Sequence, residues 1–198
     1  MPLDPYQWQT IAQPLFVEKK KGIVQATTGS GKTGFAILCM LRIKPKITHI
    51  VVPKGHLMTQ WHDELRNFGY DGKIAMFGGG HSGGDIENVN IWCINTARTR
   101  LNNPDYGDGA MLIVDEVHRS TSSCNRQIYK LNPEWALGIS ATAFQNGTYI
   151  VNLLGGGLIY NYTFEDALAD EVVCDYKIVN IGYDVDDDTN DILDNIAT

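Results

Sequence analysis

The sequence has few cysteines, and none of them is paired at the spacing of a metal site. Cys39, Cys93, Cys124 and Cys174 are scattered along 198 residues, with no histidines clustered beside them. A zinc site needs pairs such as CxxC, and a disulfide scaffold is shorter and richer in cysteine. We therefore expect four buried free thiols in a reducing compartment, which is the cytoplasm, or the nucleus in a eukaryote.

Long apolar runs are also missing. No stretch approaches the ~20 apolar residues that a membrane-spanning helix needs, and residues 1–5 do not start the basic and apolar pattern of a secretory signal. Hydrophobic residues make up 43% of the chain and charged residues 20%, which is typical of a soluble globular protein. The length fits one well-buried domain.

The chain lacks the basic excess that is common in nucleic-acid-binding proteins. Its net charge is −7, but six aspartates lie within residues 184–198, with no basic residue among them. The remaining 183 residues are therefore nearly neutral, and a local basic strip can still follow a phosphate backbone. We expect a domain over residues 1–183 and a solvated acidic tail over 184–198.

Apolar runs of strand length alternate with helical patterns. Apolar residues at helical intervals, namely Leu3, Trp8, Ile11 and Leu15, predict a short helix within residues 3–17. Further helices are predicted from Lys32 onward and over 55–68, 148–154 and 164–169. Strands are predicted over 22–26, 47–52, 73–77, 89–94, 111–114, 135–140 and 176–183. Several strands are apolar on both faces, which predicts an α/β fold with a mostly parallel sheet covered on both sides.

The most specific motif lies between the first predicted strand and the helix that begins at Lys32. It reads Ala26-Thr-Thr-Gly-Ser-Gly-Lys-Thr33, a phosphate loop whose usual first glycine is replaced by Ala26. Glycines let successive N–H groups point at phosphate oxygens, and the following helix adds its positive end. Lys32 is predicted to reach the β- and γ-phosphates, and the Thr33 hydroxyl to hold Mg²⁺. The predicted ATP-binding residues of the loop are Thr28, Gly29, Ser30, Gly31, Lys32 and Thr33.

Two acids follow the apolar run Met111–Val114. Asp115 and Glu116 stand at the end of a predicted strand, where ligands bind in open α/β sheets. Alone, such a pair is equally well explained as a solvated strand end. Together with the phosphate loop, it predicts that Asp115 holds Mg²⁺ with Thr33, and that Glu116 orients or deprotonates the attacking water, with Lys32 completing the catalytic set.

The order of three motifs resembles a known family. The phosphate loop, Asp115-Glu-Val-His118 and Ser140-Ala-Thr142 are similar to the first RecA-like domain of superfamily 2 helicases and translocases of the DExH kind. The resemblance implies that His118, Ser140 and Thr142 couple the nucleotide state to a partner domain. It also implies that Gln7, in Pro5-Tyr-Gln7, contacts the adenine.

The resemblance extends to segments that contact nucleic acid in this family. Residues 50–61 resemble its motif Ia and residues 94–98 the next backbone-contacting motif, which implies contacts from Pro53, Lys54, Gly55, Thr96 and Arg98. Residues 153–155, 159–160 and 164–167 resemble the branch of type III restriction subunits and of repair and phage recombination helicases. The implied partner is DNA or RNA, and DNA is favoured.

The family's motor has a second RecA-like domain that supplies an arginine finger, worth ~10³ to 10⁵ in rate. Nothing after Thr142 resembles that domain, so we expect this chain to be one half of a motor, with little ATP hydrolysis alone. Two other functions stay open: a nucleotide-dependent binding module without turnover, and a phosphate-loop enzyme such as a small-molecule kinase. The glycine-rich residues 78–84 precede a strand and predict a hairpin-like loop.

Overall fold

The computed structural model of the chain describes residues 4–142 and 153–175. The strands are β1 (Lys21–Ala26), β2 (Ile47–Val52), β3 (Ile74–Gly78), β4 (His81–Ser82), β5 (Val89–Cys93), β6 (Ala110–Asp115), β7 (Trp135–Ser140) and β8 (Leu158–Tyr162). The α-helices are α1 (Gln7–Lys19), α2 (Lys32–Ile43), α3 (His56–Asn67), α4 (Ile94–Arg100) and α5 (Phe164–Ala169). Short 3-10 helices cover Pro104–Tyr106, Val117–Ser120 and Asn125–Leu131.

The strands form one sheet in the order β4-β3-β5-β2-β6-β7-β1-β8. Every pairing is parallel except that of β3 with β4, because only these two strands are joined by a tight turn and the others by longer crossovers. The predicted α/β fold with a mostly parallel sheet is confirmed. Its consequence is that the carboxyl ends of β1, β2, β3, β5, β6 and β7 share one edge of the sheet.

Both faces of the sheet are buried. In β1, Val24 packs in the core beneath α1, α2 and α3, whereas its neighbour Ile23 packs in the core on the other face with α4. Successive side chains of a strand point to opposite faces, so a strand that is buried on both sides is apolar at most positions. The continuous apolar runs in the sequence reflect this requirement.

The first helix corrects one prediction. It begins at Gln7, and the side chains that face the sheet are Trp8, Gln9, Ala12 and Phe16. Ile11 and Leu15, two of the apolar residues that predicted the helix, are 46% and 37% exposed. Trp8, Ala12 and Phe16 follow each other at intervals of four, and a line at that spacing lies on one side of a helix. Ile11 and Leu15 each precede that line by one residue and therefore point away from it.

Strand β8 was not predicted. It adds to the sheet beside β1, and its Tyr160 and Tyr162 rings stack on Trp8 at centroid distances of 6.3 and 5.2 Å. The strand follows a tight glycine segment in which a Cβ on Gly156 would lie 1.4 Å from the Lys21 carbonyl oxygen. Only glycine permits so close an approach of two backbones.

Several predicted bounds agree with the structure. Strands over 47–52 and 135–140 and the helix over 164–169 are found as predicted. Residues 78–84 do form a hairpin, in which Gly78 pairs with His81. The expectation of four buried thiols is wrong for two of them: Cys39 and Cys93 are buried, whereas Cys124 and Cys174 are exposed, and all four are free.

Some predictions fall outside the described residues. These are residues 148–152 of the helix predicted over 148–154, the strand over 176–183, and the domain boundary at 183 with its acidic tail. Within the described ranges, no helix combines the length and the apolar character that crossing a membrane would require.

Candidate active site

The phosphate loop connects the end of β1 to the start of α2. Gly31 has a φ of 82°, a left-handed conformation that favours glycine, and a Cβ there would lie 2.9 Å from the Gln9 amide nitrogen. The Lys32 ammonium donates a hydrogen bond to the Thr27 carbonyl oxygen at 2.9 Å. The Ser30 hydroxyl donates to the same oxygen at 2.6 Å. Lys32 therefore lies folded onto its own loop, with one of its three N–H donors on Thr27.

Helix α1 supports the phosphate loop through two side chains. The Trp8 indole N–H donates to the Ser30 carbonyl oxygen, and the Gln9 amide N–H donates to the Gly31 carbonyl oxygen, each at 2.9 Å. The Gln9 amide oxygen also accepts from the Tyr6 backbone N–H at 2.9 Å. Gln9 is thus held between the start of the helix and the loop.

Gln7 was predicted to contact the adenine, and Gln9 was missed. Gln7 is exposed at the first position of α1, whereas Gln9 is only 4% exposed. A signal was present, because glutamine at the third helical position often bonds back to the residue before the helix. The role predicted for Gln7 stays a prediction, and Gln9 is the glutamine that the fold places against the loop.

A cavity of about 380 Å³ lies beside the loop. The loop and the start of α2 form its floor, Tyr6 and Gln9 one wall, and Gln60, Glu64 and Phe68 of the α3 segment the other. Asp115 and Glu116 are not part of its lining. The cavity therefore lies beside the phosphate loop and is not lined by the two acids.

Asp115 ends β6 and is held by α3. Its Oδ2 accepts a hydrogen bond from the Trp61 indole N–H at 2.9 Å. Burial raises the pKa of the Asp115 carboxyl, and the Trp61 hydrogen bond and the Lys32 ammonium oppose this increase. Burial lowers the pKa of the Lys32 ammonium, and the negative charges of Glu116 and Asp115 oppose this decrease. The structure thus brings Lys32, Asp115 and Glu116 into electrostatic contact.

The oxygens here suit Mg²⁺. Thr33 offers a hydroxyl and Asp115 a carboxylate, which are hard ligands of the type this ion prefers. Within residues 4–142 and 153–175, no group of three or more His, Cys, Asp or Glu side chains forms an all-protein metal site. A site with few protein ligands fits Mg²⁺, which keeps waters and binds substrate phosphates.

Glu116 belongs to a hydrogen-bonded cluster with the other two motifs. The Ser140 hydroxyl donates to Glu116 Oε2 at 3.2 Å, and His118 Nδ1 lies 2.8 Å from the Ser140 oxygen and 3.2 Å from Glu116 Oε2. The Thr142 backbone N–H donates to the Ser140 oxygen at 3.0 Å. Glu116 itself has a φ of 48°, an uncommon conformation for a residue with a side chain. The fold therefore brings together the predicted residues Glu116, His118, Ser140 and Thr142.

The predicted nucleic-acid contacts lie further along the same edge. Pro53, Lys54 and Gly55 follow β2, and Thr96 and Arg98 lie in α4, which follows β5 directly. The β3–β4 hairpin, missed as part of this region, touches both groups. A Cβ on Gly79 would lie 2.7 Å from the Gly55 Cα, and one on Gly78 would lie 2.3 Å from the Thr96 hydroxyl.

Comparison with known proteins identifies the family. Residues 1–145 match the family described as type III restriction enzyme, res subunit. The chain belongs to this family. It is 30% identical over 177 residues to the DNA 3'-5' translocase XPB2 of Sulfurisphaera tokodaii, which covers 86% of this chain and 38% of that protein. It is 34% identical over 131 residues to the putative DNA 3'-5' helicase Rad25 of Haloarcula marismortui, covering 64% of this chain and 21% of that protein. The chain thus spans well under half the length of these relatives.

Solved structures show the same fold. The UvsW helicase from bacteriophage T4 superimposes with a TM-score of 0.64 at 20% identity, over 81% of this chain and 60% of that one. The Sulfolobus solfataricus SWI2/SNF2 ATPase core, solved in complex with double-stranded DNA, gives a TM-score of 0.65 at 17% identity, over 79% of this chain and 38% of that one. The family match and the relatives named as a DNA translocase and a DNA helicase confirm the resemblance to helicases, and the solved structures show that the fold is RecA-like.

Proposed function

We propose that this chain is the ATP-binding and ATP-hydrolysing domain of a DExH-type motor that acts on duplex DNA together with a second RecA-like domain. The observation that carries the proposal is the single cluster at the carboxyl edge of the sheet. There Lys32, Asp115 and Glu116 interact electrostatically, and Glu116 is hydrogen-bonded to Ser140.

The residues divide the work on ATP. The loop N–H groups and the Lys32 ammonium bind the phosphates. Thr33 and Asp115 would hold Mg²⁺, which would supply positive charge to the phosphates. The cavity bounded by Tyr6, Gln9 and Phe68 receives the base and ribose. Gln9, with its second amide hydrogen, is a candidate for the base contact beside Gln7.

Glu116 is the proposed general base. The Ser140 hydroxyl and His118 fix one carboxylate oxygen by contacts of 3.2 Å each, which sets the side chain's direction in advance. A carboxylate so oriented accepts a proton from the attacking water as the water approaches the γ-phosphate. The same contacts make the position of Glu116 depend on the segment that ends at Thr142, and this supports a coupling role for His118 and Ser140.

A second domain is part of the proposal because the cluster is one-sided. Lys32 is the cation that acts on Asp115 within the described part of the chain. The developing charge on a transferred phosphoryl group is normally stabilised by an arginine in addition. A partner RecA-like domain, in the same polypeptide or in another, would supply it.

DNA is the proposed track. Relatives named as a DNA translocase and a putative DNA helicase support this choice over RNA. Lys54, Gly55, Thr96 and Arg98 would then contact backbone phosphates without reading bases.

Single-turnover hydrolysis with protein in excess over ATP tests the proposal, because it detects slow chemistry. Lys32→Ala should weaken ATP binding about a thousandfold, since an ammonium bond to a phosphate is worth ~1.5–3 kcal/mol and two are lost. Glu116→Gln should bind ATP as the wild type does and hydrolyse it at least about a hundredfold more slowly. Glu165→Gln, on the exposed face of α5, is the control and should change neither quantity.

The main alternative is a nucleotide-dependent binding module without turnover. It predicts that the wild type and Glu116→Gln show the same negligible hydrolysis, with and without duplex DNA and an added second RecA-like domain. That outcome would leave ATP binding in place and remove the motor function.

A further inference from the structure

Helix α3 links the two halves of the sheet edge. It begins at His56, directly after Lys54 and Gly55. Gln60, one turn later, and Glu64, one further turn along the helix, line the cavity beside the phosphate loop. Between these two positions, Trp61 turns towards the sheet and reaches Asp115. The helix therefore contacts the proposed nucleotide site along its length and the proposed DNA site at its start.

The bond between Trp61 and Asp115 has a specific chemistry. An indole N–H can only donate, and a tryptophan ring turns about just two side-chain bonds. Trp61 is 1% exposed, so water does not replace its partner. The donor therefore fixes the position of Asp115 Oδ2, at 2.9 Å, and with it the direction of the carboxylate. A buried donor to a charged acceptor is also stronger than a neutral pair.

We infer that Trp61 is a positioning residue that orients the Asp115 carboxylate for Mg²⁺ and makes this orientation depend on where α3 lies. The inference rests on the proposed function, because it concerns the metal that the proposed ATPase uses. Trp61 is not a catalytic residue, since its indole N–H is bonded to Asp115 and its side chain does not line the cavity beside the phosphate loop. It acts through Asp115, as partners of metal ligands commonly do.

The coupling follows from the stiffness of the helix. Six residues separate Gly55 from Trp61, which corresponds to roughly 9 Å of α-helix. A backbone contact that shifts the start of α3 therefore shifts the indole, and with it the carboxylate that the indole holds. Such coupling is reciprocal in binding free energy, so Mg²⁺-nucleotide and duplex DNA should each change the affinity for the other through this contact.

The chain offers a matched control. Trp92 is also 1% exposed, and its indole N–H donates to another buried side chain, His49, at 3.2 Å. It lies in β5, away from the phosphate loop. Trp61→Phe and Trp92→Phe thus remove the same group from two equally buried rings, and only one of them touches Asp115.

The test measures how strongly Mg²⁺ tightens nucleotide binding. A fluorescent, non-hydrolysable ATP analogue is titrated with each variant by anisotropy, once with excess Mg²⁺ and once with EDTA. The ratio of the two dissociation constants is the gain from the metal. Trp61→Phe should reduce this gain about tenfold to a hundredfold and leave the EDTA value unchanged, whereas Trp92→Phe should leave both unchanged.

Different results would contradict the proposed function and the positioning role of Trp61. If the wild type shows no binding of the analogue with Mg²⁺, the proposed function is wrong. If the wild type binds and Trp61→Phe keeps the wild-type metal gain, the function stands and the positioning role is wrong. When the ratio of dissociation constants is measured again with duplex DNA present, it should differ from the value without DNA in the wild type and in Trp92→Phe, but not in Trp61→Phe.

A measurement on the wild type covers the case in which Trp61→Phe does not fold. The four tryptophans are labelled with ¹⁵N at the indole, and the signals of Trp8, Trp92 and Trp135 are assigned through their own Phe variants. Adding Mg²⁺ to the nucleotide-bound protein should shift the remaining signal, that of Trp61, more than the signal of Trp92. Equal shifts of the two signals would overturn the inference.

Discussion

The carboxyl edge of the sheet has two halves that are built by different means. In the nucleotide half, at the ends of β1, β6 and β7, side chains bond to one another: Glu116 to Ser140, and His118 to Ser140. In the nucleic-acid half, at the ends of β2, β3 and β5, backbones meet through glycine, as where Gly79 lies against Gly55. One half is a hydrogen-bonded network of charged groups, and the other is a close-packed backbone surface.

This difference fits what each half is proposed to bind. Phosphoryl transfer needs charges held at fixed points, and these need ionisable side chains in a defined order. A phosphate backbone of any sequence is followed by N–H groups and a few cations, which needs exposed main chain. Each half can therefore be disturbed separately, and α3 with Trp61 is the element that connects them.

The largest effect that separates the halves is expected at the tip of the β3–β4 hairpin. Gly79 has a φ of 61°, and a Cβ there would lie 2.7 Å from the Gly55 Cα and 3.0 Å from the Met58 sulfur. Gly79→Ala should lower the free energy of unfolding by about 3–4 kcal/mol, because a left-handed alanine adds ~1–2 kcal/mol and overpacking against backbone ~1–3 kcal/mol. It should weaken binding of duplex DNA and spare binding of ATP.

Gly80→Ala is the matched variant. Gly80 also has a positive φ, of 97°, but a Cβ there meets nothing within 4 Å. Urea unfolding should therefore show only the backbone contribution, about 1–2 kcal/mol, with DNA binding retained. If Gly79→Ala weakened ATP binding as much as DNA binding, the two halves would not be separable.

The sequence predicted the nucleotide half better than the nucleic-acid half. Lys32, Asp115 and Ser140 belong to motifs with fixed spacing, and the strands that carry them are continuous apolar runs. The β3–β4 segment was predicted as a hairpin-like loop. Its contacts with Gly55 and Thr96 were missed because they join segments far apart in the chain. Gln9 and Trp61 were missed for the same reason, since their partners, Gly31 and Asp115, are neighbours only in space.

Apolar character alone also does not decide which side chains of α1 are buried. In α1, Ile11 and Leu15 are more apolar than Gln9, yet Gln9 is buried and they are exposed. Gln9 is buried because it satisfies the Gly31 carbonyl oxygen, and hydrophobicity carries no information about that bond. Strand β8 alternates tyrosines with other residues, but the three glycines before it obscured its start.

A smaller effect is expected from acid, and it arises beneath the nucleic-acid half. His49 in β2 is fully buried, and its Nδ1 accepts the Trp92 indole N–H at 3.2 Å. Burial lowers the pKa of His49 to about 4, against a backbone hydrogen bond at Tyr106 that raises it. The folded protein therefore binds this proton less readily than the unfolded chain does. The contribution is fully present above the unfolded pKa of about 6.5 and is lost as the pH falls to 4, by about 3 kcal/mol.

Urea unfolding between pH 7 and pH 4 measures this loss. His49→Gln keeps an acceptor for Trp92 without a titrating group, so its stability should fall by about 3 kcal/mol less than that of the wild type over this range. His62→Gln, on the partly exposed side of α3, is the control and should follow the wild type. If His49→Gln followed the wild type as well, acid sensitivity would originate elsewhere in the chain.

The smallest effect on stability, and the sharpest test of the nucleotide half, is expected at Ser140. This serine is fully buried, and its oxygen meets Glu116, His118 and the Thr142 N–H. Ser140→Ala should lower the free energy of unfolding by about 1–2 kcal/mol, as expected for a lost hydrogen bond that leaves partly buried partners. Single-turnover hydrolysis should slow as well, because the Glu116 carboxylate loses the donor that orients it.

Ser120→Ala is the control for the hydrolysis rate of Ser140→Ala. Ser120 is equally buried, but its hydroxyl donates to the Val117 carbonyl oxygen and meets the Tyr129 hydroxyl, not Glu116. Both alanine variants should lose similar stability, so a lower rate in Ser140→Ala alone measures orientation of the general base. Equal rates in the two variants would mean that Glu116 is held by its own backbone, whose φ is 48°, and that the hydrogen bonds of Ser140 serve only to join β7 to the segment after β6.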